Sequence, residues 1–235
     1  IHSVPSQEIS LLKSTPGINV VILPGIDTIP MAFNHRITPL GDVRVRRAIA
    51  AAINFKEMCT YILGDSGTEA KSVISPSVFG FKDVSRYLPD YNIEKAKELL
   101  KEAGCPNGFS TNMIAPQGFY PKDREVLEYI KDSLSKGSID LKIRLIEGAA
   151  AWPLLDGLDF ELFMAGWGTM NLDGDFGLYR NFHSSATRDG FANDLVDEML
   201  DKGRTSSDPE VRKEAYEKAQ IEIAKQVLRL PLFHV

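Results

Sequence analysis

A strand-helix-strand pattern between residues 109 and 145 constrains the fold of this chain more than any other feature. Apolar and polar residues alternate through Phe109–Ala115 and again through Ile139–Leu145, the period of two that is typical of strands. The apolar stripe between them predicts a helix that begins at Pro121 and is stopped at Gly137. Because this order suggests a right-handed crossover, we expect an α/β (mixed α+β) fold.

The other elements are predicted from caps, turn residues and hydrophobic periodicity. Asp42, Asn92, Asn193 and Asp208 each precede a helical pattern and are good N-caps. Further predicted elements are strands at Ile18–Leu23 and Ile29–Phe33, helices at Val43–Ile53, Asn54 to Leu63 and Ile93–Ala103, a long loop over 65–91, a helical element over 149–157 interrupted by Pro153, and an extended segment at Leu228–Val235. Because Pro231 cannot donate to a ladder, the last segment is expected to be an edge or exit strand.

The stretch Asp159–Tyr179 carries the most distinctive residues. Its apolar start predicts a buried strand that delivers Trp167 to the end of the sheet, where α/β proteins usually bind ligands. Trp167 is either a core aromatic or the wall of a ligand site, and the flanking glycines favour the wall because they allow close approach. A second loop, Gln117–Tyr120, raises the same question for Phe119 and Tyr120, of which at most one is expected to reach a ligand.

Asp173 and Asp175 follow the tryptophan and allow several interpretations. Two carboxylates flanking a glycine could hold a divalent cation in a metal-dependent glycosyl-transferring enzyme, or act as the acid and base of a hydrolase. No glycine-rich phosphate loop accompanies them, and neighbouring aspartates on one loop do not normally flank a sugar at the required separation. Loop shaping or helix capping is therefore the default interpretation.

Composition excludes some classes of function. The net charge of −5 argues against a nucleic-acid partner, and the cluster at Arg44, Arg46 and Arg47 is expected to be a solvated helix face. The two cysteines, Cys59 and Cys105, fit no metal or redox spacing, and free thiols are expected rather than a bridge. No apolar run has the length of a membrane span and no signal peptide is evident, so a soluble mature or excised piece is expected.

Four ordered motifs then resemble those of one family. They are Asp42 to Ile49 (DVRVRRAI), Asn92 to Gly104 (NIEKAKELLKEAG), the Gly166-Trp167 loop, and Asp208 to Tyr216 (DPEVRKEAY) with Leu230-Pro231-Leu232 near the end. Together they resemble the dipeptide/oligopeptide/nickel family of extracytoplasmic solute-binding proteins, family 5, which supply ABC importers. The resemblance spans nearly the whole chain from about residue 18.

The resemblance implies one lobe of a two-lobed periplasmic-binding-protein fold, a mixed sheet with flanking helices, carrying half of a ligand cleft. Residues 1–35 would form a lead segment with hinge-crossing strands, residues 36–228 the ligand-binding lobe, and residues 229–235 the return strand to the hinge. It further implies a monomeric, non-enzymatic receptor without cofactor or metal. Its partners would be a small or peptide-like solute and a membrane permease, outside the cytoplasm and compatible with a lipid anchor.

The residues of the cleft depart from the pattern of peptide binders. In peptide-binding relatives, an aspartate three residues after the tryptophan pairs with the α-ammonium group of the peptide, and this chain has Met170 there. The loop Gln117–Tyr120 also lacks the basic residue that meets the carboxylate in dipeptide binders. We therefore expect that free dipeptides are not bound in the usual pose.

The leading hypothesis is a solute receptor whose cleft is lined from the two loops. Asn171, Asp173 and Asp175 would bond an uncharged polar or cationic solute, such as a modified peptide, a saccharide or a metal chelate. Met170 would widen the apolar part of the pocket. The alternatives are the metal-dependent glycosyl-transferring or hydrolysing enzyme using Asp173 and Asp175, and a structural interaction module with Trp167 fully buried.

Overall fold

The sheet of the molecule is mixed and central. The computed structural model describes residues 6–22 and 25–235, and within these its seven strands are β1 (Asp27–Phe33), β2 (Thr68–Glu69), β3 (Phe109–Pro116), β4 (Ile139–Ile146), β5 (Leu162–Met164), β6 (Trp167–Gly168) and β7 (Arg229–His234). They lie in the order β2-β7-β1-β5-β3-β4, and β6 also pairs with β1. The predicted fold class, an α/β (mixed α+β) lobe with a mixed sheet and flanking helices, is confirmed.

The helices flank this sheet. They are α1 (Ser6–Ser14), α2 (Val43–Ala52), α3 (Phe55–Met58), α4 (Ile93–Glu102), α5 (Asp123–Lys136), α6 (Gly148–Asp156), α7 (Gly174–Phe182), α8 (Asp194–Thr205) and α9 (Pro209–Gln226). A π-helical turn, Cys59–Leu63, continues α3 as far as Gly64, where the predicted helix was expected to stop. Within the described ranges, no helix is both long and apolar enough to cross a membrane.

The crossover between β3 and β4 is confirmed. The two strands pair in parallel from Phe109↔Ile139 to Pro116↔Ile146, with α5 as the connection. The predicted start of α5 at Pro121 is wrong by two residues, because Lys122 adopts a left-handed conformation (φ 50°) and the helix begins at Asp123. Its predicted end is confirmed, since Gly137 is the C-cap.

The last strand, β7, is not at an edge. It pairs with β1 on one side and with the short β2 on the other, and all of its residues are buried. Pro231 is tolerated here because it lies opposite Pro30, next to a register shift in the β1 pairing. The prediction of an edge position is therefore wrong, and the missing signal was β2, a two-residue strand within the predicted loop 65–91.

Two predicted boundaries in other parts of the chain also change. The prediction of a strand at Ile18–Leu23 is wrong for residues 18–22, because they form no strand and are largely exposed. Its last residue, Leu23, and the following Pro24 lie outside the described residues. The helix α6 runs through Pro153 without interruption. The predicted domain limits at residues 35 and 228 stay a prediction.

The two faces of the sheet pack against different helices. Alternate residues of β1, β3 and β5 point to one side, where Phe33, Met113 and Leu162 join the main core with α2, α4 and α5. On the other side, Ala32, Ile114 and Phe163 pack with residues of α6. The predicted apolar face of α2 is confirmed, because Ala48, Ile49, Ala52 and Ile53 are all buried.

A third cluster joins α7, α8 and α9 around the ring of Tyr216. A side chain at Gly203 of α8 would come within 2.3 Å of this ring, and one at Gly174, at the start of α7, within 3.1 Å. Both helices therefore need glycine where they meet α9. This cluster fixes the segment that follows Trp167 against the C-terminal helix.

Arg46 contradicts the prediction of a solvated basic face on α2. Its side chain is 3% exposed, and its guanidinium group donates to the backbone oxygens of Gln226, Val227, Leu40 and Gly41. The last carbonyl groups of a helix lack helical partners, so a cation at the end of α9 satisfies them. Burial lowers the pKa of Arg46 to about 10. Both cysteines are free, as expected.

Candidate functional site

Trp167 lies in the two-residue strand β6, which pairs with the first two residues of β1. The partners are Thr28↔Trp167 and Asp27↔Gly168. The buried strand predicted before the tryptophan is present as β5, and it ends at Met164, three residues before the indole. Trp167 is therefore held at the end of the sheet by backbone pairing, as the sequence predicts.

Gly166 allows this loop to pack closely. A Cβ atom at this position would lie 2.6 Å from both Ile29 Cδ1 and Tyr120 Cε1. Such contacts are shorter than any carbon contact in a packed protein, so only glycine fits without a shift of the neighbours. The phenol oxygen of Tyr120 accepts a hydrogen bond from the Gly166 N–H at 2.5 Å. Burial raises the pKa of Tyr120 to about 12, so the hydroxyl stays protonated.

The structure thus brings the loop Gln117–Tyr120 next to the Trp167 loop. Phe119 is 57% exposed and packs edge-on against Tyr120 and Trp152, with ring centroids at 6.0 and 5.6 Å. Gln117 is exposed, whereas Tyr120 is largely covered. Of this pair of aromatics, Phe119 is the one whose ring is accessible from solvent.

Two cavities lie on either side of Trp167. The first has a volume of about 240 Å³ and is lined by Trp152, Leu155, Ala165, Gly166, Trp167, Asn181, Arg188 and Arg229. The second has a volume of about 280 Å³ and is lined by Trp167, Asp175, Phe176, Tyr179, Arg180, Ala186 and Arg204. Trp167 is half-buried, packs on Phe176 with ring centroids 5.5 Å apart, and is the residue that the two linings share.

The two aspartates are held by arginines. Asp173 caps α7 by accepting from the backbone N–H of Asp175, and both of its oxygens lie 2.8 Å from the guanidinium of Arg212. Asp175 makes a two-point contact with Arg204, at 2.9 and 3.1 Å. Asn171 accepts from the backbone N–H of Asp173 at 3.2 Å. The default interpretation of loop shaping and helix capping describes this geometry.

The metal-dependent alternative lacks support from these contacts. Each carboxylate of the pair already has a cationic partner, which disfavours a divalent ion at the same oxygens. Across residues 6–22 and 25–235, no group of three or more His, Cys, Asp or Glu side chains is arranged to hold a metal ion. The aspartates therefore offer neither an open ligand set nor a free acid and base pair.

Apolar side chains are exposed beside Trp167. Met170 is 77% exposed, Leu172 47% and Phe176 37%. Such residues are usually covered when they cluster at one place on a soluble protein. Together with Phe119, they make the surroundings of Trp167 more apolar than an ordinary loop surface.

The family that matches this chain is described as bacterial extracellular solute-binding proteins, family 5 Middle, over residues 1–189. The chain belongs to this family. It is 28% identical to the dipeptide-binding protein of Escherichia coli K12 over 97% of this chain and 44% of that protein. It is 27% identical to heme-binding protein A of Haemophilus influenzae over 97% of this chain and 43% of that protein.

A solved family structure has the same fold. The ABC transporter-associated periplasmic binding protein DppA of Helicobacter pylori, in complex with the peptide STSA, superposes with a TM-score of 0.86 at 28% identity. The match covers 97% of this chain and 45% of that protein. The chain therefore spans less than half the length of the family members it matches.

Several residues of the first cavity were not predicted from the sequence. Arg229 and Asp189 form a buried ion pair, 2% and 0% exposed, and Asn181 accepts a further hydrogen bond from Arg229 at 2.8 Å. The signal that could have found Arg229 is its position in an otherwise apolar strand, because a buried arginine needs a partner. Nothing in the sequence pattern indicated that the partner is Asp189, 40 residues away.

Proposed function

We propose that this chain forms one wall of a solute-binding cleft in the receptor component of an ABC importer. Trp167, Phe119 and Met170 lie on that wall, and the rest of a longer protein supplies the opposite wall. The observation that carries the proposal is the position of Trp167, half-buried at the end of the sheet between two cavities. The family relationship supports it, since the relatives matched are binding proteins.

The size of the cavities supports half of a cleft rather than a complete site. Small-molecule sites usually have volumes of about 300–1,000 Å³ and bury most of the ligand surface. Each cavity beside Trp167 is smaller than this range, at about 240 and 280 Å³. We therefore expect weak solute binding by the isolated chain and tighter binding once a second wall encloses the ligand.

The contacts of the loop divide the proposed ligand residues into two groups. Trp167, Phe119, Gln117 and Met170 have exposed surface for a solute. Asp173, Asp175 and Asn171 are engaged in ion pairs or a turn, so they position the loop and leave few lone pairs for a ligand. Tyr120 accepts a hydrogen bond from the backbone of Gly166 and so helps to hold the loop. The proposed solute is peptide-like or another small polar molecule with an apolar part that covers the indole.

The proposed function also implies where the protein works and which membrane protein it meets. A receptor of this family works outside the cytoplasm and delivers its solute to the membrane permease of the importer. As a receptor it would act as a monomer, without chemical turnover of the solute and without a cofactor.

Native mass spectrometry of the full-length protein, purified from its own cells, tests this function. We expect a retained small molecule that dissociates on denaturation and rebinds to the refolded protein. The variant Trp167→Leu is expected to weaken rebinding about 2- to 13-fold, because a stacked aromatic face contributes about 0.5–1.5 kcal/mol beyond its area.

A matched control and a contrary outcome complete this test. Tyr61 is 81% exposed on the π-helical turn and lines neither cavity. Tyr61→Leu should therefore leave rebinding unchanged. Turnover of a glycoside that is lost in Asp173→Asn, without any retained solute, would instead establish the enzyme.

A further inference from the structure

The first cavity is lined by two tryptophans and two arginines. Trp152 of α6 and Trp167 of β6 both line it, and Leu155 and Ala165 add apolar surface. The polar groups that reach it belong to Arg188, Arg229 and Asn181. The indole N–H of Trp167 is buried and has no hydrogen-bond partner within the described part of the chain. An occupant with acceptor atoms would satisfy that donor.

The side chains in and around this cavity carry more positive charge than negative charge. Arg229 is neutralised by the fully buried Asp189. Arg188 is paired with Asp156 at 2.6 Å, and Arg180 on α7 is close enough to repel Arg188. Among the described residues, Arg180 has no ion pair of its own. Arg180 itself lines the second cavity, so its positive charge acts on Arg188 from outside the first cavity and no carboxylate of the described residues offsets it.

Arg188 is the residue whose partner can be exchanged. Its own side chain is 21% exposed, whereas the Asp156 side chain is 57% exposed. An ion pair with such an exposed carboxylate contributes little to stability, because water solvates both charges well. A ligand anion inside the cavity would meet Arg188 in a less solvated place, where attraction between charges is stronger. Burial, followed by repulsion from Arg180, lowers the pKa of Arg188.

We propose that this cavity receives an anionic oxygen group of the solute, a carboxylate or a phosphate, which Arg188 binds in exchange for Asp156. The apolar part next to that group packs between Trp152 and Trp167. This inference rests on the proposed function and narrows the solute to an acidic one. It differs from the expectation of a neutral or cationic solute held by Asp173 and Asp175, whose oxygens are already occupied by arginines.

Tryptophan fluorescence tests the proposal directly, because the only two tryptophans of the chain both line this cavity. The 235-residue chain is titrated with phenylacetate, phenyl phosphate and the neutral phenylacetamide. We expect saturable quenching by at least one of the two anions in the millimolar range, and binding of phenylacetamide about tenfold weaker or undetectable. The two anions distinguish a carboxylate from a phosphate.

Three variants separate the role of Arg188 from a general loss of structure. Arg188→Gln should weaken anion binding about tenfold or more, while Arg188→Lys retains part of it. Asp156→Asn removes the competing carboxylate at an exposed position and should strengthen anion binding by up to about fivefold, the upper end of what an exposed ion pair contributes. Arg44→Gln removes an arginine that is paired with Asp42 and lines neither cavity, and it should leave anion binding unchanged.

Several outcomes would overturn the inference. They are equal binding of phenylacetamide and the anions, no saturable quenching by any probe, unchanged affinity in Arg188→Gln, or weaker binding in Asp156→Asn. These results leave the proposed receptor function intact, because that function is tested by a solute retained in the full-length protein and by Trp167→Leu. Conversely, absence of any retained solute contradicts the receptor function even if this chain binds phenylacetate.

Discussion

The hydroxyl of Tyr120 accepts a hydrogen bond from the backbone N–H of Gly166, and this contact joins the two loops of the candidate site. The residues are 46 positions apart in the chain, on the loops that follow β3 and β5. Because those strands are parallel neighbours in the sheet, both loops leave at the same edge. The position of Trp167 therefore depends on a tyrosine from another loop.

The variant Tyr120→Phe tests this dependence. It leaves the partly buried N–H of Gly166 without its acceptor, which we expect to cost about 1 kcal/mol of unfolding free energy, the low end of the range for a fully buried group. We expect that loss in urea unfolding, together with faster hydrogen exchange of the amides of residues 166–168. Tyr129→Phe is the control, because the Tyr129 hydroxyl donates to the carbonyl of Asn54 far from the loop. Equal exchange at residues 166–168 in both variants would contradict the prediction.

The variant Gly166→Ala should disturb the hydrogen bond between Tyr120 and Gly166 by changing the glycine instead of the tyrosine. The added Cβ would lie 2.6 Å from side-chain atoms of Ile29 and Tyr120, so the neighbours must shift at a cost of about 1–3 kcal/mol. Gly157→Ala is the matched control, since it has a negative φ and its only close neighbour is the Pro153 oxygen at 3.2 Å. Thermal unfolding of both variants should show a clear loss only for position 166.

Local features of the fold could be predicted because they depend on neighbouring residues. The crossover from β3 to β4 follows from two alternating segments around an amphipathic helix, and the caps Asp42, Asn92, Asn193 and Asp208 each accept from a backbone N–H as expected. These signals act within a few residues. Trp167 could be found for the same reason, since its flanking glycines are adjacent in sequence.

Features that depend on distant partners could not be predicted. The interior position of β7 depends on β2, which is two residues long and lacks a period of its own. Arg46 is buried because the carbonyl ends of α9, 180 positions later, need donors. The charge of the first cavity depends on which carboxylate each arginine meets, and Arg229 meets Asp189 only in the folded chain. Periodicity places a residue on a face but does not identify its partner.

Divalent cations should not stabilise this chain. Asp173 and Asp175 are paired with Arg212 and Arg204, so a cation would have to displace a guanidinium group. We expect the melting temperature to change by less than about 1 °C when millimolar Mn²⁺ or Mg²⁺ is added, because ligand stabilisation requires binding to the native state. An increase that disappears in both Asp173→Asn and Asp175→Asn would restore the metal-dependent alternative.

Two histidines, the partly buried His35 and the buried His234, should make the free energy of unfolding decrease below neutral pH. Burial, with repulsion from Arg46, lowers the pKa of His35 to about 3, and burial lowers that of His234 to about 4, from an ordinary value of 6.5. The native state therefore favours the neutral rings. Their contribution is complete above pH 6.5 and is lost as the pH falls toward the folded-state values, by about 1 kcal/mol for each histidine between pH 6 and pH 5.

Urea unfolding at pH 7, 6 and 5 measures this effect above the range where most carboxylates titrate. His35→Gln and His234→Gln should each flatten the pH dependence by about half over this interval, whatever their effect at pH 7. His234 accepts from the backbone N–H of Lys71, which fixes the neutral form that protonation destroys. A free energy of unfolding that is constant from pH 7 to pH 5 would rule out this linkage.

Met170→Asp should give the full-length protein affinity for peptides with a free α-amino group. The wild-type residue is apolar and 77% exposed, three positions after Trp167, where the resemblance to peptide binders leads us to expect a carboxylate for the ammonium group. A hydrogen bond to a charged group contributes about 1.5–3 kcal/mol, so we expect roughly ten- to hundredfold tighter binding of a dipeptide by calorimetry. The N-acetylated dipeptide is the control and should show no gain, because it lacks the cation. Micromolar binding of the free dipeptide by the wild-type protein would show instead that another group already meets the ammonium.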